Sequence, residues 1–185
     1  MRVVVFDRTD KLAAAWRPGA LLYRGLRRID ATYGATSWDD AIAWLASRPE
    51  PIRELQYWGH GTWGTVLVNR EAVDASTLSR LAPVRAALAP DALVWFRTCE
   101  TFGSPAGLDF AARAADYLGA RVAGHTYVIG YYQSGLHGLA PGVAPDWSPR
   151  EGVVPGVATG KPSGRGEPNT ITCLRGTVPR PWFAR

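Results

Sequence analysis

Residues 92–101 read ALVWFRTCET, five apolar residues with no polar alternation followed by Arg97, Thr98, Cys99, Glu100 and Thr101. An apolar run of strand length with no alternation is the pattern of a strand covered on both faces, as in a parallel sheet between helices. The earlier stretch IRELQYW at 52–58 ends in a similar way, running into Gly59, His60 and Gly61. In an open parallel sheet the carboxyl ends of the strands share one edge, and ligands bind there. If the two strands are neighbours, His60 and Cys99 face one crevice although they are far apart in the chain.

Working outward, Ser104-Pro105 reads as N-cap and first residue of a helix through Leu118, with Leu108, Ala111, Ala112, Ala115 and Leu118 on one face and Gly119 as its stop. Arg121–Gly124 then begins another strand. Upstream, Val3–Phe6 is uniformly apolar, a second strand falls near Leu26–Tyr33, and Ser37 with Asp40 forms a capping box for a short helix ended near Pro49. Thr65–Val68 is a hairpin-like excursion, and a helix over Ala75–Leu88 is kinked or divided at Pro83. The whole predicts an α/β fold with a mostly parallel central sheet flanked by helices.

The chain has 185 residues, 46% of them hydrophobic, which is the size and make-up of a single domain over 1–185. Within it, 1–140 reads as the core. Residues 141–168 carry Gly or Pro at twelve of 28 positions and read as a long surface loop. That loop is expected to fold over the crevice, with 159–166 its most mobile part. Residues 169–185 read as a last strand and a tail.

The net charge of +5 comes from Arg residues scattered through the chain, with no basic block or finger, which argues against specific nucleic-acid binding. No stretch approaches the roughly 18 uncharged apolar residues of a membrane span, and the apolar run at the start is too short for a secretory signal. Two cysteines make no disulfide framework, so a cytoplasmic location is expected. Three histidines with no HExxH and no CxxC predict no metal, and the absence of GxGxxG and GxxxxGK[ST] predicts no nucleotide cofactor.

The chemistry therefore rests on His60 and Cys99. A thiolate is the attacking species, so Cys99 needs a proton acceptor, which an imidazole supplies, and the N-terminus of the following helix favours the anion. Gly61 lets its backbone N–H approach a substrate closely, as an oxyanion donor must. His125 and His137 compete for the role of base, but neither has the glycines that flank His60. Cys173 reads as structural. Trp58 and Trp63 bracket His60 and are candidates to line a substrate groove. A blander reading makes Cys99 a small buried hydrophobe and His60 a satisfied core histidine.

The order strand–His60–Gly61, helix, strand–Cys99, helix resembles that of the caspase-like cysteine peptidases, and CETFG at 99–103 is similar to the Cys-Glu-Thr-Gly stretch of CHAT domains. The resemblance covers about residues 1–130. It departs from the CHAT pattern at Phe102, which stands where the glycine directly follows threonine, and no helical repeat is present. The resemblance implies a caspase-like three-layer sandwich in which His60 and Cys99 form a dyad and the Gly61 and Cys99 N–H groups form the oxyanion hole. It implies a cysteine endopeptidase acting on a protein or peptide substrate without a cofactor. The alternatives are a catalytically silent module that binds a protein partner through the same crevice, and a thiol hydrolase or transferase acting on a non-peptide acyl group. In the resembling families a residue just past the first strand helps line the specificity pocket, which points to Asp7 or Arg8. Asp7 would favour a basic substrate residue and Arg8 an acidic one, and Glu100 beside the nucleophile tilts the expectation toward basic.

Overall fold

The computed structural model describes residues 1–183. In chain order the elements are β1 (Arg2–Asp7), α1 (Ala13–Gly25), β2 (Ala31–Ala35), α2 (Trp38–Ala46), β3 (Ile52–Trp58), β4 (His60–Thr62), β5 (Thr65–Val68), β6 (Glu71–Asp74), α3 (Ala82–Ala87), β7 (Leu88–Arg97), α4 (Ser104–Leu118), β8 (Arg121–His125), β9 (Tyr132–Gln133), β10 (Leu136–Leu139) and β11 (Ile171–Thr172). Six strands form the central sheet in the order β10-β8-β7-β3-β1-β2. The pairings β1 to β2, β1 to β3, β3 to β7 and β7 to β8 are parallel, and β10 closes one edge antiparallel to β8. The mostly parallel sheet flanked by helices is the architecture that the apolar strand runs predict.

Alternate residues of each strand divide between the two faces. Val3, Val5, Leu55, Tyr57, Val94 and Phe96 pack against α2, α3 and α4 through Trp38, Leu45, Val84, Phe110, Ala114 and Leu118. On the other face Val4, Phe6 and Trp58 meet Ala20, Tyr23 and Ile29, while Leu93, Trp95 and Ala123 meet Leu136, Ile171 and Val178. This second face is thus covered in two separate patches, by α1 over β1 and β3 and by the C-terminal segment over β7 and β8. The seam between the patches becomes the cleft described below.

Local signals account for most boundaries. Ser37 caps α2 by accepting the Asp40 N–H at 3.1 Å, and the Asp40 carboxylate reaches back to the Thr36 N–H at 2.8 Å. Gly119 ends α4 with φ +60, a conformation that a residue with a Cβ rarely adopts. The helix begins at Ser104, one residue before the expected Pro105, with Gly103 as its N-cap.

Several expectations differ. Helix α1 forms where Pro18 and Gly19 interrupt the helical pattern of the sequence, and the strand expected near Leu26–Tyr33 starts only at Ala31. The stretch Ala75–Leu88 is divided, as expected, into a 3-10 turn at Leu78–Leu81 and the short helix α3, but the break precedes Pro83, which sits in the first turn of α3. The last strand is two residues long and pairs with β9 outside the central sheet. The 141–168 segment has no regular structure, yet it is tied down: Trp147 is buried, stacks on Phe102 at 5.7 Å and donates Nε1–H to the Phe102 carbonyl at 3.0 Å. Residues 159–166 are fastened as well. The Val128 N–H donates to the Lys161 carbonyl at 3.0 Å, the Ser163 N–H to the Val128 carbonyl at 2.8 Å, and the Gly160 N–H to the Glu100 carboxylate.

Candidate active site

Trp58 and Arg97 are register partners at the carboxyl ends of β3 and β7. His60 follows one of them by two residues and Cys99 the other, so adjacent parallel strands deliver both side chains to one sheet edge. Beyond β3 the chain folds into the antiparallel ribbon β4-β5-β6, and His60 is the first residue of β4. Gly61 lies directly against the loop that carries the cysteine. A Cβ there would stand 2.3 Å from Thr101 Oγ1, 2.9 Å from Thr98 Cβ and 3.0 Å from the Cys99 carbonyl oxygen. The glycine is required for this contact, a packing role in addition to any role of its N–H.

The 98–101 loop is braced internally. Thr98 and Thr101 share a hydroxyl hydrogen bond of 2.6 Å, Thr101 Oγ1 lies 3.2 Å from the Cys99 carbonyl oxygen, and Glu100, at φ +45, donates its N–H to the Tyr127 carbonyl at 2.9 Å. A non-glycine residue at positive φ costs energy that the surrounding bonds must offset. Cys99 is thereby held with its thiol toward the seam.

His60 and Cys99 both line a cleft of about 450 Å³. One wall is α1 with the preceding Leu12, the other is 129–133 with Cys173 and Leu174, and Trp58 and Arg97 lie between them. The Cys99 thiol approaches the Ile129 carbonyl oxygen at 3.9 Å. Burial pushes its pKa up and the neighbouring Glu100 carboxylate pushes it the same way, the Ile129 contact offsetting only part, so the thiol form is favoured at rest. Among the described residues no hydrogen bond joins Cys99 to His60.

His60 is part-exposed, with its ring edge-on to Trp16 at 5.5 Å and Nε2 3.3 Å from Asp10 Oδ1. Asp10 lies in the loop between β1 and α1. The Leu12 N–H at 2.7 Å, and secondarily His60, hold its carboxyl below the usual carboxylate range. No motif in the sequence marks Asp10 as a site residue. Asp7 and Arg8, the residues expected just past the first strand, do not line the cleft. Asp7 is buried, accepting from Thr9 N–H at 2.8 Å, Thr9 Oγ1 at 2.6 Å and Asn69 N–H at 3.0 Å, so it fastens the β5–β6 turn to the sheet. Arg8 is exposed and borders a separate depression with Thr32 and Tyr33.

The remaining candidates divide plainly. Trp58 lies in the cleft, with Nε1–H donated to Gln56 Oε1 at 3.1 Å. Trp63 does not, and packs beside Gly103. Glu100 is buried, its carboxylate engaged by the Gly160 N–H and by Thr62 Oγ1 at 3.4 Å, so it anchors a loop and does not line the cleft. His125 is wholly buried between the Trp95 Nε1–H at 3.4 Å and the Ser134 carbonyl at 3.1 Å, and burial lowers its pKa to about 3. His137 pairs with Glu151 at 2.8 Å and stacks on Trp147 at 4.6 Å, away from the cleft. Neither is placed to serve Cys99. The 141–168 segment contributes nothing to the cleft walls, contrary to the expected cover.

Arg97 is likewise unmarked by any motif. It continues the Leu93 and Trp95 parity of β7 and is buried among aromatic rings, 4.4 Å from Trp95, 5.1 Å from Trp58 and 5.7 Å from Tyr23. Nε donates to Gln133 Oε1 at 3.2 Å, Nη1 to Tyr23 Oη at 3.0 Å and Gln56 Oε1 at 3.3 Å, and Nη2 to Gln133 Oε1 at 2.8 Å and the Cys173 carbonyl at 2.9 Å. The guanidinium thus ties the C-terminal segment to the sheet.

Among the described residues no group of three or more His, Cys, Asp or Glu could hold a metal ion, and no helix is long and apolar enough to cross a membrane. The chain matches no known protein-family model, no curated protein and no solved structure.

Proposed function

We propose that the protein is a caspase-like cysteine endopeptidase in which Cys99 attacks a peptide carbonyl and His60 moves the proton. The observation that carries this reading is the delivery of His60 and Cys99, from the ends of two hydrogen-bonded parallel strands, into one cleft. The mostly parallel sheet flanked by helices supports it, as does the Asp10 carboxylate 3.3 Å from His60 Nε2. An imidazole whose Nε2–H is held by a carboxylate presents its lone pair at Nδ1. The thiol proton passes to that nitrogen as sulfur bonds to the carbonyl carbon, and the π pair moves to oxygen, met by the N–H groups of Gly61 and Cys99. Collapse breaks the C–N bond and the amine leaves with the proton from His60. Water, deprotonated by the same imidazole, then attacks the thioester; the C–S bond breaks, sulfur takes the proton back from the imidazolium to give the thiol, and the carboxylic acid product ionises to solvent.

The raised pKa of Cys99 and the missing Cys99–His60 hydrogen bond favour a second reading, a silent module that binds a protein partner in the cleft. Against it, apo geometry in catalytic dyads is often loose until substrate is bound. The test is alkylation by a chloroacetamide at neutral pH, followed by mass mapping. Peptidase action predicts that Cys99 is modified well ahead of Cys173 and that His60→Ala slows it. Equal, slow modification of both cysteines supports the silent module.

A further inference from the structure

We propose that the cleft selects a large apolar side chain next to the scissile bond, which deepens the peptidase reading and rests on it. The groups expected to make a charged pocket are elsewhere: Asp7 and Glu100 are buried and saturated, and Arg8 opens on a different surface. What faces Cys99 is the stripe of α1 at Ala15, Trp16, Gly19, Leu22 and Tyr23, preceded by Leu12, and across from it Ile129, Tyr131 and Leu174. The spacing of 12, 15, 16, 19, 22 and 23 is that of one helical face.

That face lacks a full partner. Leu12 is 45% exposed, Leu22 49%, Leu174 50% and Tyr131 59%, although all four border one cleft. Apolar side chains gathered around a nucleophile and left half in water gain free energy when another apolar group covers them, about 25 cal/mol for each Å² removed from water. An apolar side chain on an extended peptide meets this requirement, since its flanking amides stay at the open rim, hydrated. An acyl chain would leave part of its length in water in a trough so open.

Arg97 is the one charged group in the lining, and its N–H groups all have partners within the protein. A substrate carboxylate would have to displace one of them or be desolvated beside a guanidinium with no donor to offer, and burying an ion without hydrogen bonds is costly. A basic side chain would meet that same positive charge. Both charged classes are therefore disfavoured relative to leucine or phenylalanine.

The test uses matched peptidyl acyloxymethyl ketones with Leu, Phe, Asp or Arg beside the reactive group, and an octanoyl ketone, with the rate of mass gain at Cys99 as readout and Cys99→Ala as the blank. The expected result is a rate for Leu or Phe roughly tenfold or more above Asp and Arg. Leu22→Asp and Tyr131→Asp, at half-exposed positions, are expected to shrink that ratio several-fold. Preference for Asp would show that the charge of Arg97 governs the pocket, and preference for Arg, or equal rates, would equally overturn the inference. A faster octanoyl reaction overturns the choice of a peptide. In each of those cases Cys99 still reacts and the nucleophile assignment stands; no reaction at Cys99 with any ketone overturns that assignment itself.

Discussion

His60 Nε2 lies 3.3 Å from Asp10 Oδ1, so the candidate base is gripped by a carboxylate from the loop that leaves the first strand. Asp10→Asn keeps the shape but removes the charge that stabilises the imidazolium formed during attack. Turnover of a Leu-containing fluorogenic peptide should fall about tenfold or more in kcat with KM little changed, and Asp10→Glu should recover part of it. An unaltered kcat in Asp10→Asn would remove Asp10 from the mechanism.

Cys99→Ala and His60→Ala should each abolish peptide cleavage while the thermal transition stays within a few degrees of the parent, since both side chains sit at the cleft edge. Residues acting as one unit are not additive, so the double variant should be no slower than the worse single. Rates for all three on the same peptide decide it, and full activity in Cys99→Ala ends the assignment.

Gly61→Ala tests how closely the two strand-end loops must approach. The added methyl group would be driven into Thr101 Oγ1 and the Cys99 carbonyl, so the loops must part. The expected cost is about 1–3 kcal/mol in denaturant unfolding, with a large loss of Cys99 reactivity. A variant as stable and reactive as the parent would show that the contact has slack.

His125 should make the protein acid-sensitive. Burial first, with a smaller contribution from the charge of Arg97, lowers its pKa from 6.5 to about 3, against a backbone hydrogen bond to Ser134 that raises it. Between those values the unfolded chain binds a proton that the folded chain refuses, so stability falls as pH falls through this window, by up to roughly 1.4 kcal/mol per pH unit. Urea unfolding at several pH values measures the slope, and His125→Gln should flatten it even if it lowers stability throughout. An unchanged slope would place the acid sensitivity elsewhere.

Val3–Phe6 and the strand that carries Cys99, Ala92–Phe96, were legible because burial on both faces leaves an unbroken apolar run, whereas Ile52–Trp58 holds Arg53, Glu54 and Gln56 and was legible from its length and its end at Gly59, His60 and Gly61. Helix α4 was legible through Ser104-Pro105 and Gly119. Helix α1 was hidden by Pro18 and Gly19, and with it went the whole apolar wall of the cleft. Asp10 was hidden for a related reason, because its role is set by where the loop into α1 turns. The parity of a strand buried on both sides does not say which face holds a ligand, so Arg97 read as the residue that merely ends β7. The specificity expectation failed at Asp7 for a different cause: a carboxylate at a strand end can be consumed by nearby backbone N–H groups, and Thr9 and Asn69 do that here.

The bond from Arg97 to the Cys173 carbonyl spans 76 positions of chain. During synthesis the nucleophile-bearing strand leaves the ribosome long before the segment at 173–174 that supplies the opposite wall. A nascent chain that has reached α4 therefore carries Cys99 but no cleft around it, and Arg97 still lacks the Cys173 carbonyl that it will hold. The cleft is completed only when this late segment docks, so a chain stalled before residue 173 would lack the part of the wall that Cys173 and Leu174 supply.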